Sequence, residues 1–144
     1  TISSAASDVY KRQVQKTKIM ELQAYIIIGL KIIIGISILN VWLIQSKKHT
    51  KWRGGDATTI IEEFKVYGLS KSFYAAIYFI KVSLAILLLA SIRFDVLTLV
   101  SSLGLAVLLL GSILMHVKVK DAWYKSFPAF LFMGMNLIIA YFST

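Results

Sequence analysis

The hydrophobic residues of this chain fall into four blocks that are separated by short polar segments. The blocks cover residues 24–45, 73–92, 96–117 and 127–142. A helix needs about 20 predominantly apolar residues to cross the roughly 30 Å hydrocarbon core of a bilayer, and no block shows the period-two alternation of a half-buried strand. The last block is shorter, and Pro128 fits its first helical turn. The pattern predicts an all-α fold, an integral membrane four-helix bundle.

The segment between the first two blocks contains a fifth, weaker helical pattern. Asp56 is placed to cap a helix, apolar residues then recur at helical spacing, and Gly68 is a typical stop. We predict a short amphipathic helix over residues 57–67. We place this short helix in the membrane interface, between the first two spans, and a loop helix that caps the bundle is the alternative.

Residues 1–13 have no apolar period. The run SAASDVYKRQ resembles a fused segment that is not native to the chain, and a genuine frayed tail is the alternative. We therefore expect a single membrane domain over residues 14–144.

Composition supports the membrane assignment and excludes every bond or site that needs cysteine. Of the 144 residues, 58% are hydrophobic and only 16% are charged, which argues against a soluble enzyme and against a disordered chain. The absence of cysteine excludes disulfides, iron–sulfur clusters and thiolate metal sites. We expect no metal site, and the net charge of +9 indicates membrane topology rather than a nucleic-acid partner.

Basic residues are distributed unequally between the two faces of the predicted bundle. The two loops that share one face carry nine basic residues (Lys47, Lys48, Lys51, Arg53, Lys65, Lys71, Lys118, Lys120 and Lys125). The opposite face carries Lys16, Lys18 and Arg93, or five basic residues if the N-terminal segment is native. The positive-inside rule then predicts a multi-pass protein of the inner (cytoplasmic) membrane with cytoplasmic loops and both termini outside. Trp42, Trp52 and Trp123 are predicted to anchor the loop face at the interface.

Two lysines lie within the predicted spans and are candidates for a ligand site. Lys81 is almost at the centre of its span, and Tyr74 and Tyr78 share its helix face. Lys31 lies a few residues from the middle of the first span. Because an ionisable residue in a span is costly, we interpret Lys31, Tyr74, Tyr78 and Lys81 as a polar interior that binds an acidic or quinone-like head group. The alternative is that the lysines snorkel to the interfaces, and this alternative is stronger for Lys31.

A second polar cluster follows the third block. His116, Lys118, Asp121 and Lys125 are close together in sequence, and Asp121 can pair with either lysine. A catalytic histidine needs a nucleophile or metal partners, so we predict a structural loop clasp and no catalytic residue.

Several of these residues also carry a resemblance to a known family. The run HVKVKDAWYKSFP, followed by an apolar helix, and the earlier EFKVYGL before FIKVSLAILLLA resemble the DoxX-like family of small four-helix membrane proteins over residues 20–142. The corresponding positions here are Gly68, Leu69, Lys81, Ala85, His116, Asp121, Pro128 and Ala129. The sequence departs from the family pattern at Ser70, where proline is frequent, and at Lys81, where glutamate is frequent.

The resemblance implies a role as well as a fold. Named members of the family are tied to quinone-linked oxidation and membrane redox complexes, so the implied role is an accessory subunit of a quinone-linked or other membrane redox assembly. The implied cofactor is a quinone, and the implied partners are the lipid bilayer, a membrane redox protein and further copies of the chain. We expect no independent catalytic activity. A small-molecule anion carrier and a purely structural scaffold remain alternatives.

Overall fold

The computed structural model of the chain describes residues 2–144 and contains five α-helices. These are α1 (Ile2–Leu39), α2 (Ile60–Val66), α3 (Lys71–Ala90), α4 (Thr98–Lys118) and α5 (Phe127–Ser143). A π-helical segment, Asn40–Ile44, continues α1, and short 3-10 helices precede α4 at Asp95–Leu97 and α5 at Trp123–Ser126. No strand occurs in the part of the chain described. The predicted all-α fold is confirmed.

Four of the helices are long and apolar enough to cross a membrane. They occupy residues 3–44, 71–90, 95–118 and 123–143, close to the four blocks seen in the sequence. Their outer faces carry many exposed large apolar side chains, which suit contact with lipid rather than water. The first helix is longer than the sequence predicts, because it continues without a break back to Ile2, and residues 3–13 are exposed along their whole length.

The four spanning helices form a closed ring in which each packs on two others. The packed pairs are α1 with α3, α3 with α4, α4 with α5, and α5 with α1. Small residues allow close approach within the ring: a Cβ added at Gly35 would lie 2.5 Å from Leu89 Cγ, and one at Gly104 would lie 2.9 Å from Leu84 Cδ1. In lipid, such close backbone approach is a main source of helix–helix association. The ring of helices surrounds a core of eight buried residues, namely Ile34, Ile38, Trp42, Ile60, Ala85, Leu88, Leu105 and Ile139.

Helix α2 is shorter than predicted and has a different cap. It begins after Thr59, whose Oγ1 accepts from the Glu62 N–H at 3.1 Å, so the prediction of Asp56 as the cap is wrong. The reason is that Thr59 has the extended backbone of a capping residue, while Asp56 lies in an earlier turn, which the Ala57 N–H closes onto the Gly54 carbonyl. Ile60 is only 2% exposed and joins the core. Helix α2 therefore packs on the loop end of the bundle through this residue.

Both loops lie at one end of the bundle and touch each other there. The Gly55 N–H donates to Asp121 Oδ1 at 2.9 Å, and the rings of Trp52 and Tyr124 lie 6.1 Å apart. Trp123 is 94% exposed, as an interfacial anchor would be, but Trp42 is 6% exposed and belongs to the core. The prediction of Trp42 as an anchor is wrong, because its ring packs against Phe64, Tyr74 and Tyr78.

Candidate functional site

A cavity of about 570 Å³ occupies the loop end of the bundle, beneath α2. Side chains from all four spanning helices, from α2 and from the loop between α1 and α2 form its wall. Phe73 and Val107 line this cavity and are also exposed on the outside of α3 and α4, so the cavity reaches the apolar outer surface of the bundle. The volume lies in the range of small-molecule sites, which are mostly apolar with a few placed polar groups.

Lys81 contributes its ammonium group to the wall of the cavity. The residue is 6% exposed, and its Nζ lies 5.0 Å from the ring centroid of Trp42, a cation–π contact. Within residues 2–144 it makes no hydrogen bond and no ion pair. Gly111 lies in the same wall, and a Cβ added there would meet no atom within 4 Å. The cavity therefore holds a buried positive charge beside free space.

The π-helical segment places Trp42 against this lysine. At its C-terminal end the Gln45 N–H donates to the Asn40 carbonyl at 2.9 Å. This is the widened π-type turn that often occurs at functional sites. Tyr74 stacks on Trp42 at 6.2 Å and Tyr78 meets its edge at 6.0 Å. The two tyrosines thus support Trp42 from behind. They do not line the cavity, and neither hydroxyl is hydrogen bonded to Lys81.

The structure separates Lys31 from the other three residues of the predicted site. Lys31 is 4% exposed and lies toward the opposite end of the bundle. Its Nζ donates to the Ser91 carbonyl at 3.2 Å and to Thr98 Oγ1 at 3.0 Å. It therefore ties α1 to the end of α3 and the start of α4, and it does not line the cavity.

The predicted loop residues come together around Asp121. Asp121 Oδ2 lies 2.7 Å from His116 Nδ1, and its Oδ1 accepts from the Gly55 N–H and lies 3.6 Å from Lys125 Nζ. Because an ionised carboxylate only accepts hydrogen bonds, the His116 proton is on Nδ1. Lys125 also donates to the Gly55 carbonyl at 2.9 Å, and Lys118 donates to the Tyr67 carbonyl at 2.9 Å. These bonds join the two loops.

The end of α4 gives Asp121 its position. Lys120 has a φ of 57°, and the Asp121 N–H bonds back to the His116 carbonyl at 3.0 Å while the Lys120 N–H bonds to the Val117 carbonyl at 3.1 Å. This is a Schellman ending, in which glycine is usual at the left-handed position. The turn brings the Asp121 side chain back beside His116, five residues earlier in the chain.

Sequence reasoning missed three members of the same polar network, namely Arg53, Glu63 and Tyr67. Glu63 Oε1 accepts from the Tyr67 hydroxyl at 2.6 Å, and its Oε2 lies 3.6 Å from Arg53 Nη1. Arg53 is 6% exposed and also donates to the Gln45 carbonyl at 2.7 Å. The spacing of Glu63 could have identified it. Glu63 lies three residues after Ile60 and therefore shares the inward face of α2.

Burial and neighbouring charges shift the pKa of two groups in this network. Burial raises the pKa of Tyr67 far above its ordinary value, and the negative charge of Glu63 adds to the effect. Burial alone would raise the pKa of Asp121. The hydrogen bonds from His116 and Gly55, together with the charge of Lys125, outweigh that effect and hold the pKa below its ordinary value. Tyr67 therefore stays a phenol and Asp121 stays a carboxylate at neutral pH.

Comparison with known proteins identifies the family of the chain. No curated protein and no solved structure matches the chain. A model of the DoxX-like family matches residues 53–140, which is more than half of the chain and contains α2 to the larger part of α5. The matched range includes Lys81, His116 and Asp121 but not Trp42 or Lys31. The chain is a multi-pass membrane protein that belongs to the DoxX-like family.

Proposed function

We propose that this protein is an accessory subunit of a quinone-linked membrane redox assembly and that it binds a lipid-soluble quinone in the cavity beneath α2. The observation that carries the proposal is the buried Lys81 ammonium, which faces the cavity without a hydrogen bond or an ion pair inside the described chain. The head group of the ligand would accept a hydrogen bond from Lys81, and its tail would lie along the apolar wall.

The walls of the cavity suit a ligand that arrives from the bilayer. On the loop side, the contacts of Arg53 with Glu63 and of Asp121 with Gly55 close the bundle end with polar bonds. On the lipid side, the exposed Phe73 and Val107 form part of the lining. A water-soluble ligand would have to break the first set of contacts, whereas a membrane-soluble ligand would pass only apolar side chains.

The charge balance of the lining favours an acceptor at Lys81. Arg53 has Glu63 as its counter-ion and Lys125 has Asp121. Lys81 has no carboxylate in contact: the face of the Trp42 ring lies 5.0 Å away, and the negative charge of Glu63, which is paired with Arg53, acts on it only from a distance. Together these interactions offset only part of the cost of burying an ammonium group. A carbonyl oxygen or an anionic head group would supply the missing interaction. The redox partner and any assembly of several copies belong to the same proposal, through the role that family membership implies.

The test is the thermal shift that a decyl-substituted benzoquinone gives to the purified protein in lipid nanodiscs. We expect the quinone to raise the melting temperature of the natural sequence. Lys81→Met should abolish that shift while the protein stays folded, because Met keeps the volume of the stem and removes the charge. Without ligand, Lys81→Met should melt at a higher temperature, since an uncompensated buried charge has been removed.

Lys31→Met is the matched control, because Lys31 is equally buried but bonds to Ser91 and Thr98 outside the cavity. It should lower the melting temperature and leave the quinone shift unchanged. Gly111→Leu, which fills the cavity, should abolish the shift in an otherwise stable protein. A shift that survives both Lys81→Met and Gly111→Leu would contradict the proposal.

An anion carrier is the second candidate, and the same unbalanced charge at Lys81 favours it. It predicts anion movement across proteoliposomes that Lys81→Met abolishes, with no quinone shift. A structural scaffold predicts no quinone shift and no anion movement. It predicts only that Lys81→Met melts at a higher temperature than the natural sequence.

A further inference from the structure

The loop between α1 and α2 carries three exposed lysines that have no counter-ion. Lys47, Lys48 and Lys51 are exposed, and none of them forms an ion pair within the described chain. We call these three residues the basic loop. A single exposed lysine is well solvated by itself, but three so close in the chain add their fields and give this surface a positive potential.

The acidic side chains of the same end do not neutralise the basic loop. Glu63 and Asp121 belong to the polar network described above. Glu62 Oε2 accepts from the Thr58 N–H at 2.8 Å and from the Thr58 hydroxyl at 2.7 Å. Asp56 is the remaining acid, and it makes no ion pair in the part of the chain described. The loop end therefore presents an excess of positive charge.

Aromatic side chains hold the basic loop at the level of the lipid head groups. The first spanning segment ends at Ile44, and the basic loop follows closely. Lys51 Nζ lies 4.6 Å from the ring centroid of Trp52, and Trp52 packs on Tyr124 at 6.1 Å. Tyr124 and the 94% exposed Trp123 lie in the first turn of the last spanning segment. Trp and Tyr side chains are enriched at the interface between membrane and water, so the lysines beside them lie near the lipid phosphates.

We infer that the basic loop binds the phosphate groups of anionic phospholipids, so that the protein holds an acidic lipid at its loop end. The inference is independent of the proposed function, because the three lysines do not line the cavity. A zwitterionic head group brings an ammonium group of its own and is attracted less. An acidic protein segment would also match the charge, but the exposed aromatic side chains and the nearness of the spans favour a lipid.

The tryptophans of the loop end make its lipid neighbours measurable. Purified protein is placed in phosphatidylcholine vesicles that contain a minor fraction of either dibrominated phosphatidylglycerol or dibrominated phosphatidylcholine. The quenching of tryptophan fluorescence gives the relative association of the two lipids. We expect phosphatidylglycerol to associate at least about fivefold more strongly, the factor that corresponds to about 1 kcal/mol for one basic residue near an anionic surface. The preference should fall as salt is added, because exposed charges are screened.

Replacement of the basic loop tests the assignment. The variant that combines Lys47→Gln, Lys48→Gln and Lys51→Gln should lose the preference for phosphatidylglycerol, while quenching by brominated phosphatidylcholine stays the same. The three side chains are exposed, so the fold and the response of the cavity to the quinone should not change. A preference that survives this variant would overturn the inference.

The matched control removes the same number of charges from the opposite end of the bundle. It combines three substitutions of exposed residues, Lys16→Gln, Lys18→Gln and Arg93→Gln. The control should keep the preference for phosphatidylglycerol. If both variants lose the preference, the net charge of the protein and not the basic loop is responsible, and the assignment is overturned.

Soluble glycerol 1-phosphate separates a lipid site from a site for free phosphate esters. It carries the phosphate group without the acyl chains, and we expect it to leave the quenching by brominated phosphatidylglycerol unchanged. Displacement of the lipid by this compound would overturn the lipid as the ligand. Equal association of the two brominated lipids with the natural sequence would overturn the inference and favour an acidic partner protein. Neither outcome affects the quinone site, which Lys81→Met tests.

Discussion

Two lysines with nearly the same burial have opposite relations to their surroundings. Lys31 is held by the Ser91 carbonyl and the Thr98 hydroxyl, so its cost of burial is offset within the chain. Lys81 meets the Trp42 ring and a cavity, so its cost is offset only in part. At the scale of the residue, the environment of the ammonium group distinguishes the structural Lys31 from Lys81, for which we propose ligand binding.

Asp121 is the residue whose loss should loosen the loop end. Asp121→Asn should lower the free energy of unfolding by about 2 kcal/mol at neutral pH, because the carboxylate accepts from His116 and from the Gly55 N–H. The pKa of Asp121 is lower in the folded protein than its ordinary value of 3.8. The stabilisation is therefore complete well above pH 3.8 and is lost as the pH falls through the lowered value.

The measurement is the melting temperature of Asp121→Asn and of the natural sequence in detergent, from neutral pH to below pH 3.8. Asp56→Asn is the control, because Asp56 is exposed and has no partner within residues 2–144. The side chains of His116, Lys125 and Glu63 also face this region, so the two proteins are compared with each other at each pH. A difference between Asp121→Asn and the natural sequence that persists unchanged to the lowest pH would contradict the prediction.

At the scale of the element, α2 depends on a single capping side chain. The helix has seven residues, too few to be stable by itself, and its position on the core through Ile60 compensates for its length. Thr59→Ala should cost about 1 kcal/mol, because the Glu62 N–H loses its acceptor. Thr59→Ser keeps the hydroxyl and should restore stability.

Hydrogen exchange at α2 measures this effect locally. The amide of Glu62 should exchange faster in Thr59→Ala than in the natural sequence, and Thr59→Ser should resemble the natural sequence. Unchanged protection in Thr59→Ala would mean that packing alone holds α2 in place.

At the scale of the whole molecule, the orientation in the membrane remains a prediction from charge. Both loops share one end, as the contact of Gly55 with Asp121 requires, and that end carries the nine basic residues of the two loops. We predict that this end is cytoplasmic and that both chain termini lie outside. The N-terminal part of α1, over residues 3–13, is exposed throughout, in keeping with the proposal that the membrane domain begins near residue 14.

Cysteine labelling of intact cells decides the orientation, because the natural chain has no cysteine. A membrane-impermeant maleimide should label Ser143→Cys and should not label His49→Cys until the cells are opened. Both positions are exposed, so protection reports the side of the membrane. Labelling of position 49 in intact cells would reverse the predicted orientation.

The sequence by itself determined the class of protein, the four spans and the glycine stop after α2, where Gly68 has a φ of 80°. These features depend on local composition: apolar length sets the spans, and a left-handed backbone at a helix end favours glycine. It also indicated the residues that meet at the loop end, since His116, Asp121 and Lys125 lie within one helix ending and its following turn.

Only the tertiary structure decided how the polar interior is divided. Lys31 and Lys81 look alike in the sequence, but contacts with residues about sixty positions away tie Lys31 to Ser91 and Thr98. The sequence position of Trp42 predicts an interfacial anchor, but α2 and α3 pack around its ring. Arg53 and Glu63 have the sequence positions of exposed charges, but they pair with each other where α2 covers the bundle. Such contacts depend on which helix faces meet, which local periodicity does not specify.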